Sequence, residues 1–93
     1  MTSIDQSKME AIREYKLPGF YMDERGAYGI VLGGVYICCF FDSDDRKYNV
    51  TVDEIGPLGD FDQNIKWEWF DEPRDAINCI RRMMKTYNPR TKY

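Results

Sequence analysis

Four carboxylates gather near one turn: Asp42, Asp44 and Asp45 in the run DSDDRK at 42–47, with Asp53 beyond it. Oxygen ligands at alternating positions are what Ca²⁺ takes, and a binding loop opening at Asp42 would have acids at its first, third and twelfth positions. Its fifth position is Arg46, however, and its sixth is Lys47, where such a loop needs glycine for a sharp turn. The acids therefore point to a charged hairpin loop rather than a metal site. Cys38, Cys39 and Cys79 are the next candidates. Zinc would need a fourth ligand, and the chain contains no histidine to supply one. Adjacent residues on a strand point to opposite faces, so Cys38 and Cys39 diverge. An odd number of thiols makes no disulfide framework, and reduced, buried cysteines of a cytosolic protein are the simpler expectation.

Catalysis is short of parts for the same reason. Without histidine, a cysteine nucleophile lacks its usual activating base. Glu68, Asp71 and Glu72 cluster where a strand passes into a helix and could serve as an acid–base pair. Acids at a helix N-terminus already have a structural task, in capping and in complementing the helix dipole. Gly33-Gly34 and the Gly56–Gly59 loop match no phosphate-cradling spacing. The sequence thus predicts a non-enzymatic protein with no cofactor and no metal.

The elements that position these residues are built around YGIVLGGVYICCFF at 28–41, the longest apolar run. Two apolar segments joined by Gly-Gly read as a β-hairpin, because both turn residues need positive φ. Its register would pair Leu32 with Val35, Ile30 with Ile37 and Tyr28 with Cys39, six residues on one face. Gly29, Val31, Tyr36, Cys38 and Phe40 fall on the other, where Gly29 leaves a shallow hollow. Residues 20–24 read as a short strand, with Arg25-Gly26 turning into the hairpin. YNVTVDEI at 48–55 alternates, with Tyr48, Val50 and Val52 inward and Asn49, Thr51 and Asp53 outward. IKWEWF at 65–70 alternates again, and its apolar side, Ile65, Trp67 and Trp69, is expected inward with Lys66 and Glu68 outward.

Helices flank the strands. Residues 3–16 carry Met9, Ile12 and Tyr15 on one side and a capping box of Ser3 with Gln6, and Leu17-Pro18-Gly19 ends the helix. Residues 72–87 place Ala76, Ile77, Ile80, Met83, Met84 and Tyr87 on an apolar face, with Asp71 as N-cap and Pro73 in the first turn. The fold class is α+β: an antiparallel meander of four to five strands flanked by an N-terminal and a C-terminal helix. At 93 residues one domain is expected over 1–93, with helix and turn at 1–19, sheet at 20–70, helix at 71–87 and a flexible tail at 88–93.

The N-terminal stretch MTSIDQSKME lacks the apolar region of a secretory signal and no apolar run reaches membrane-spanning length, so a cytoplasmic location is expected. The formal charge of −3 speaks against general nucleic-acid binding, but it is unevenly placed. Residues 42–72 carry ten acids against three bases, and residues 73–93 six bases against one acid. Two functions follow. The first is a protein-binding module, a stoichiometric inhibitor or regulator of another protein or complex, engaging it through Val31, Tyr36, Cys38 and Phe40 with Asp42, Asp44 and Asp45 at the rim. Apolar faces on small domains mark interfaces. The same face could join two copies as a homodimer, unless each helix covers one side of the sheet. Size and composition are similar to those of small phage-encoded inhibitors, which act in the host cytoplasm, and of bacterial immunity or antitoxin proteins, a likeness of class that no motif carries. The second is a nucleic-acid-associated regulator whose Arg81, Arg82, Lys85, Arg90 and Lys92 meet phosphates.

Overall fold

The computed structural model describes residues 5–57, 59 and 61–87, Phe61 and Asp62 in backbone alone. Helix α1 spans Gln6–Arg13; five strands follow, β1 at Tyr21–Met22, β2 at Tyr28–Leu32, β3 at Val35–Asp42, β4 at Lys47–Ile55 and β5 at Phe61–Phe70; α2 spans Pro73–Tyr87. The strands form one antiparallel sheet in sequence order, the meander expected from the alternation of runs and turns. The hairpin at its centre has the register that Gly33-Gly34 dictates: Leu32 opposite Val35, Ile30 opposite Ile37, Tyr28 opposite Cys39. Both glycines take positive φ, 53° and 80°, which closes a two-residue turn whose twist matches the strands.

Both helices lie on one face of this sheet, so they do not divide between its two sides. Met9 and Ile12 of α1 and Ala76, Ile77, Cys79, Ile80 and Met83 of α2 pack with Val35, Ile37, Cys39, Phe41, Tyr48, Val50 and Val52 in one buried cluster. Helix α1 is anchored where β3 runs past the end of β2. There Phe41, opposite Tyr48 of β4, has no partner on its β2 side; its carbonyl accepts from Asp5 N–H at 3.1 Å and its N–H reaches Met9 Sδ at 3.3 Å. The Tyr48 hydroxyl donates to the Lys8 carbonyl at 3.1 Å and pins the same turn.

The helix ends differ from expectation in detail. Asp5 is the N-cap of α1, its carboxylate accepting from Ser7 N–H and Lys8 N–H. Ser3, the expected cap, lies outside the described residues. Helix α1 stops at Arg13, before the Leu17-Pro18-Gly19 breaker, and Lys16 takes a left-handed φ of 50°. Tyr15 consequently falls off the buried stripe and is exposed. At α2, Glu72 precedes the first helical residue and its carbonyl accepts from Ala76 N–H at 3.3 Å. Asp71 does not cap this helix; its carboxylate accepts from Lys47 Nζ at 3.1 Å. The expected tail at 88–93 lies outside the described residues. Among the described residues, no helix is long and apolar enough to cross a membrane.

A candidate binding face on the helix-free side of the sheet

Strand pairing decides which side chains share the second face. Counting across the register, Val31, Tyr36, Asp53 and Asn64 form one row. Gly29, Cys38, Thr51 and Trp67 form the next, and Phe40, Asn49 and Trp69 a third. Trp67 and Trp69 therefore stand opposite the helices, and Lys66 and Glu68 stand on the helix side. This reverses the expected facing of β5. Val50 pairs with Glu68 and Val52 with Lys66, so the inward valines bring the charged residues to their side. The helix side can hold them because β5 is the last strand. Lys66 is exposed there, and half-buried Glu68 accepts a hydrogen bond from Cys79 Sγ at 3.3 Å.

The face has two zones. Its inner zone is filled by its own side chains. Tyr36 and Cys38 are each 1% exposed and, with Ala27, form a second small buried cluster flanked by Phe40 and Ile55. The Tyr36 ring occupies the space in front of Gly29, where a Cβ would stand 2.8 Å from its Cε1. The hollow expected at Gly29 is thus already occupied. The ring is held by the turn that precedes β2. Tyr36 Oη donates to Asp23 Oδ2 at 2.9 Å, the oxygen that also accepts from Arg25 Nη2 at 2.9 Å. Asp23 Oδ1 accepts from the backbone N–H of Arg25 and of Ala27, at 2.9 and 3.0 Å. Partial burial would raise the Asp23 pKa, but donors from Arg25, Tyr36 and Ala27 outweigh it and hold the carboxyl below its usual range. Burial, reinforced by the neighbouring Cys38 and Asp23, pushes the Tyr36 phenol far up. Asn49 and Thr51, expected outward and wet, are instead buried; Thr51 Oγ1 lies 3.1 Å from Cys38 Sγ, and Asn49 Oδ1 accepts from Trp67 Nε1 at 2.8 Å.

The outer zone is apolar and exposed. Val31, Trp67 and Trp69 are 51%, 50% and 51% accessible, and Tyr21 at the β1 edge is exposed as well. The indoles lie side by side, ring centroids 5.3 Å apart and tilted by 31°. A shallow concavity beside Trp69 is lined by Asp45 and Lys47, and another near Tyr36 by Tyr21, Met22 and the turn at Asp23–Arg25.

The seven residues expected to bind a partner are therefore not one surface. Val31 is exposed and Phe40 half-buried, but Tyr36 and Cys38 belong to the inner zone. Asp42 has a structural role, its Oδ1 accepting from Asp44 N–H at 2.8 Å and Asp45 N–H at 3.5 Å as the loop turns through Arg46 at φ 57°. Asp44 and Asp45 are exposed. On α2, Arg81, Arg82 and Lys85 are exposed, and Arg90 and Lys92 lie outside the described residues. Sequence reasoning missed Trp67 and Trp69, whose shared side it found but assigned to the core. It also missed Asp23, although an acid two residues before Arg25-Gly26 is a turn-forming signal.

None of the three thiols, Cys38 on this face and Cys39 and Cys79 on the helix side, is poised for covalent chemistry. Burial raises the Cys38 thiol pKa, which Thr51 and Arg25 lower only in part, and burial raises Cys39 further. Cys79 is pushed up to about 11 by burial and then by its hydrogen bond to Glu68. The thiolate, which is the nucleophilic form, is thereby disfavoured at each. Among the described residues, no group of histidine, cysteine, aspartate or glutamate side chains is placed to hold a metal ion. Compared with known proteins, the chain matches no family model, no curated protein and no solved structure.

Proposed function

We propose that this chain is a non-enzymatic, cytoplasmic protein-binding module, a stoichiometric inhibitor or regulator, that meets another protein with the outer zone of its helix-free face. The observation that carries this is the exposure of Val31, Trp67 and Trp69 beside a buried inner zone. Exposed apolar surface on a small domain costs solubility, and tryptophan is the residue most enriched among those that dominate interface energies. The hydrogen bond from Trp67 to the buried Asn49 keeps this indole preorganised, which lowers the entropy lost on binding.

The test is capture with wild-type protein and with Val31→Asp and Trp69→Asp, both at exposed positions. Each variant should keep the wild-type circular dichroism and melting temperature and lose the captured protein. The purified pair should bind one to one by calorimetry. If both variants retain the same protein with undiminished affinity, this face is not the interface. The exposed Arg81, Arg82 and Lys85 along α2 support a second reading, contact with nucleic acid. It requires binding that weakens steeply with salt and is lost on Arg81→Glu with Arg82→Glu; no retardation of DNA or RNA at low salt would end it.

A further inference from the structure

We propose that β5 pairs edge to edge with β5 of a second copy of this chain, antiparallel about a two-fold axis at Trp67. The sheet has two edges. One is β1, only two residues long; the other is β5, ten residues long. Every side chain from Gln63 to Trp67 is exposed, on both sides of the sheet. A long open edge is a template for another strand, and natural proteins usually cover or disrupt it.

The direction of the β5 backbone follows from the turn at Gly33-Gly34. A two-residue turn closes on a hydrogen-bonded pair, here Leu32 and Val35, and hydrogen-bonded pairs then alternate along an antiparallel ladder. Carried across the register, even-numbered residues of β3 face β4, and even-numbered residues of β4 face β5. Lys66, Glu68 and Phe70 accordingly turn their N–H and C=O groups toward β4. Asn64 Nδ2 agrees with this, donating to the carbonyls of both Val52 and Lys66. The N–H and C=O of Trp67 and Trp69 must then point outward, away from the sheet.

The sequence of the edge is complementary to itself. In an antiparallel pair centred on Trp67, Lys66 lies opposite Glu68 of the second copy, and Glu68 opposite its Lys66. Both ion pairs fall on the helix side. On the other side Ile65 meets Trp69 of the second copy, and the two Trp67 side chains meet at the axis. Trp67 forms a hydrogen-bonded pair with itself, using the groups that face outward, and Lys66–Glu68 is the closer, non-hydrogen-bonded pair, about 4.5 Å between Cα atoms. Among the described residues neither Lys66 nor Glu68 has an ion-pair partner within the chain. An edge lysine deters pairing with unrelated strands, whereas here the chain's own Glu68 answers it. The pairing is local. Ile65 is the extra residue where Val52 opposite Lys66 gives way to Asp53 opposite Asn64, so the ladder is confined to the stretch from Ile65 onward. The pairing would also join the Trp67–Trp69 rows of two copies into one aromatic band. It stands independently of whether that band takes a different protein.

Sedimentation equilibrium over a range of concentrations tests it. Wild type should self-associate to a dimer. Lys66→Glu opposes acid to acid twice per dimer, and Glu68→Lys opposes base to base; each should weaken association by roughly tenfold or more. An equimolar mixture of these two variants should restore a dimer containing one copy of each, and the double exchange Lys66→Glu with Glu68→Lys should restore the homodimer. If Glu68→Lys fails to fold beside Cys79, Trp67→Pro tests the same contact, because it deletes an outward N–H and leaves the backbone bonds to β4 intact, losing within the chain only the indole bond to Asn49. A wild type that stays monomeric, a Lys66→Glu variant that dimerises like wild type, or a Trp67→Pro variant that does so, overturns the proposal. Loss of self-association in Lys66→Glu with capture of another protein intact supports the edge pairing and leaves the proposed function standing, because Lys66 lies on the helix side and not on the helix-free face.

Discussion

Adding one methyl group at Gly29 should destabilise the protein through the helix-free face alone. The backbone there is not in the left-handed region, so the cost is steric rather than conformational. An alanine Cβ would lie 2.7 Å from the Ile37 carbonyl oxygen, 2.8 Å from Cys38 Cβ and 2.8 Å from Tyr36 Cε1. Two of these neighbours cannot give way cheaply, since one is backbone in the central strand and another is a Cβ. The third, the Tyr36 ring, is held by its hydrogen bond to Asp23 at 2.9 Å. Overpacking of this kind costs about 1–3 kcal/mol, and replacing glycine in a strand returns about 0.5–1 kcal/mol. A net loss of about 1–2 kcal/mol remains, which for a domain of this size lowers the melting temperature by roughly 4–16 °C. Urea unfolding should show a lower midpoint with an unchanged slope. Gly29→Ala melting with wild type would refute the seating of Tyr36 over Gly29, and with it the division of the face into a filled inner zone and an open outer one.

Four further outcomes follow, the first from the same contacts and the others from the buried thiols and the packing of α2. Tyr36→Phe should cost about 1.5–3 kcal/mol, the range for a hydrogen bond to a charged group, read by chemical denaturation at neutral pH. Because the Asp23 pKa is depressed on folding, its contribution is present above the unfolded-state carboxylate pKa and is lost as pH falls through the lower folded value; the difference between wild type and Tyr36→Phe should shrink over that acidic window. All three thiols are buried, so a thiol reagent at pH 8 should label the native protein only as fast as it opens, and stoichiometric labelling of the folded state within mixing time would contradict their placement. For Cys79 the folded pKa is raised to about 11, so its contribution to stability should decline as pH rises from the thiol's unfolded value toward that figure. Ile80→Ala, at a fully buried position, should cost about 2–5 kcal/mol by the same denaturation assay; a loss under 1 kcal/mol would contradict the packing of α2 on the sheet.

The parts of this fold that were legible in the sequence are those fixed by local chemistry. Gly33-Gly34 specifies a turn type, the turn specifies a register, and the register sorts Leu32, Ile30 and Tyr28 from Val31 and Gly29 without reference to the rest of the chain. The facing of β5 was not legible in the same way. Period-two alternation shows that Ile65, Trp67 and Trp69 share a side, but not which side. Assigning the more apolar side to the core is ordinarily sound; here pairing with Val50 and Val52 outweighs it and sends two indoles to solvent. The burial of Tyr36 was hidden for a different reason. It depends on a carboxylate thirteen residues away in sequence, and on a turn whose hydrogen bonds put Asp23 over the ring. The acids at 42–45 show the converse: they suggested a rim for a partner, and Asp42 is occupied in folding its own loop.

Trp67 and Trp69 are the chain's only tryptophans, so its tryptophan emission, excited beyond the tyrosine band, reports on the proposed face. The decisive measurement is acrylamide quenching of Trp67→Phe and Trp69→Phe, each with one indole left, alone and in complex with the protein that wild type captures. In the dilute, monomeric free protein each remaining indole should be readily quenched, as half-exposed side chains are; in the complex, both should become protected. A complex that forms while both indoles stay as accessible as in the free protein would contradict the assignment of the helix-free face as the binding surface.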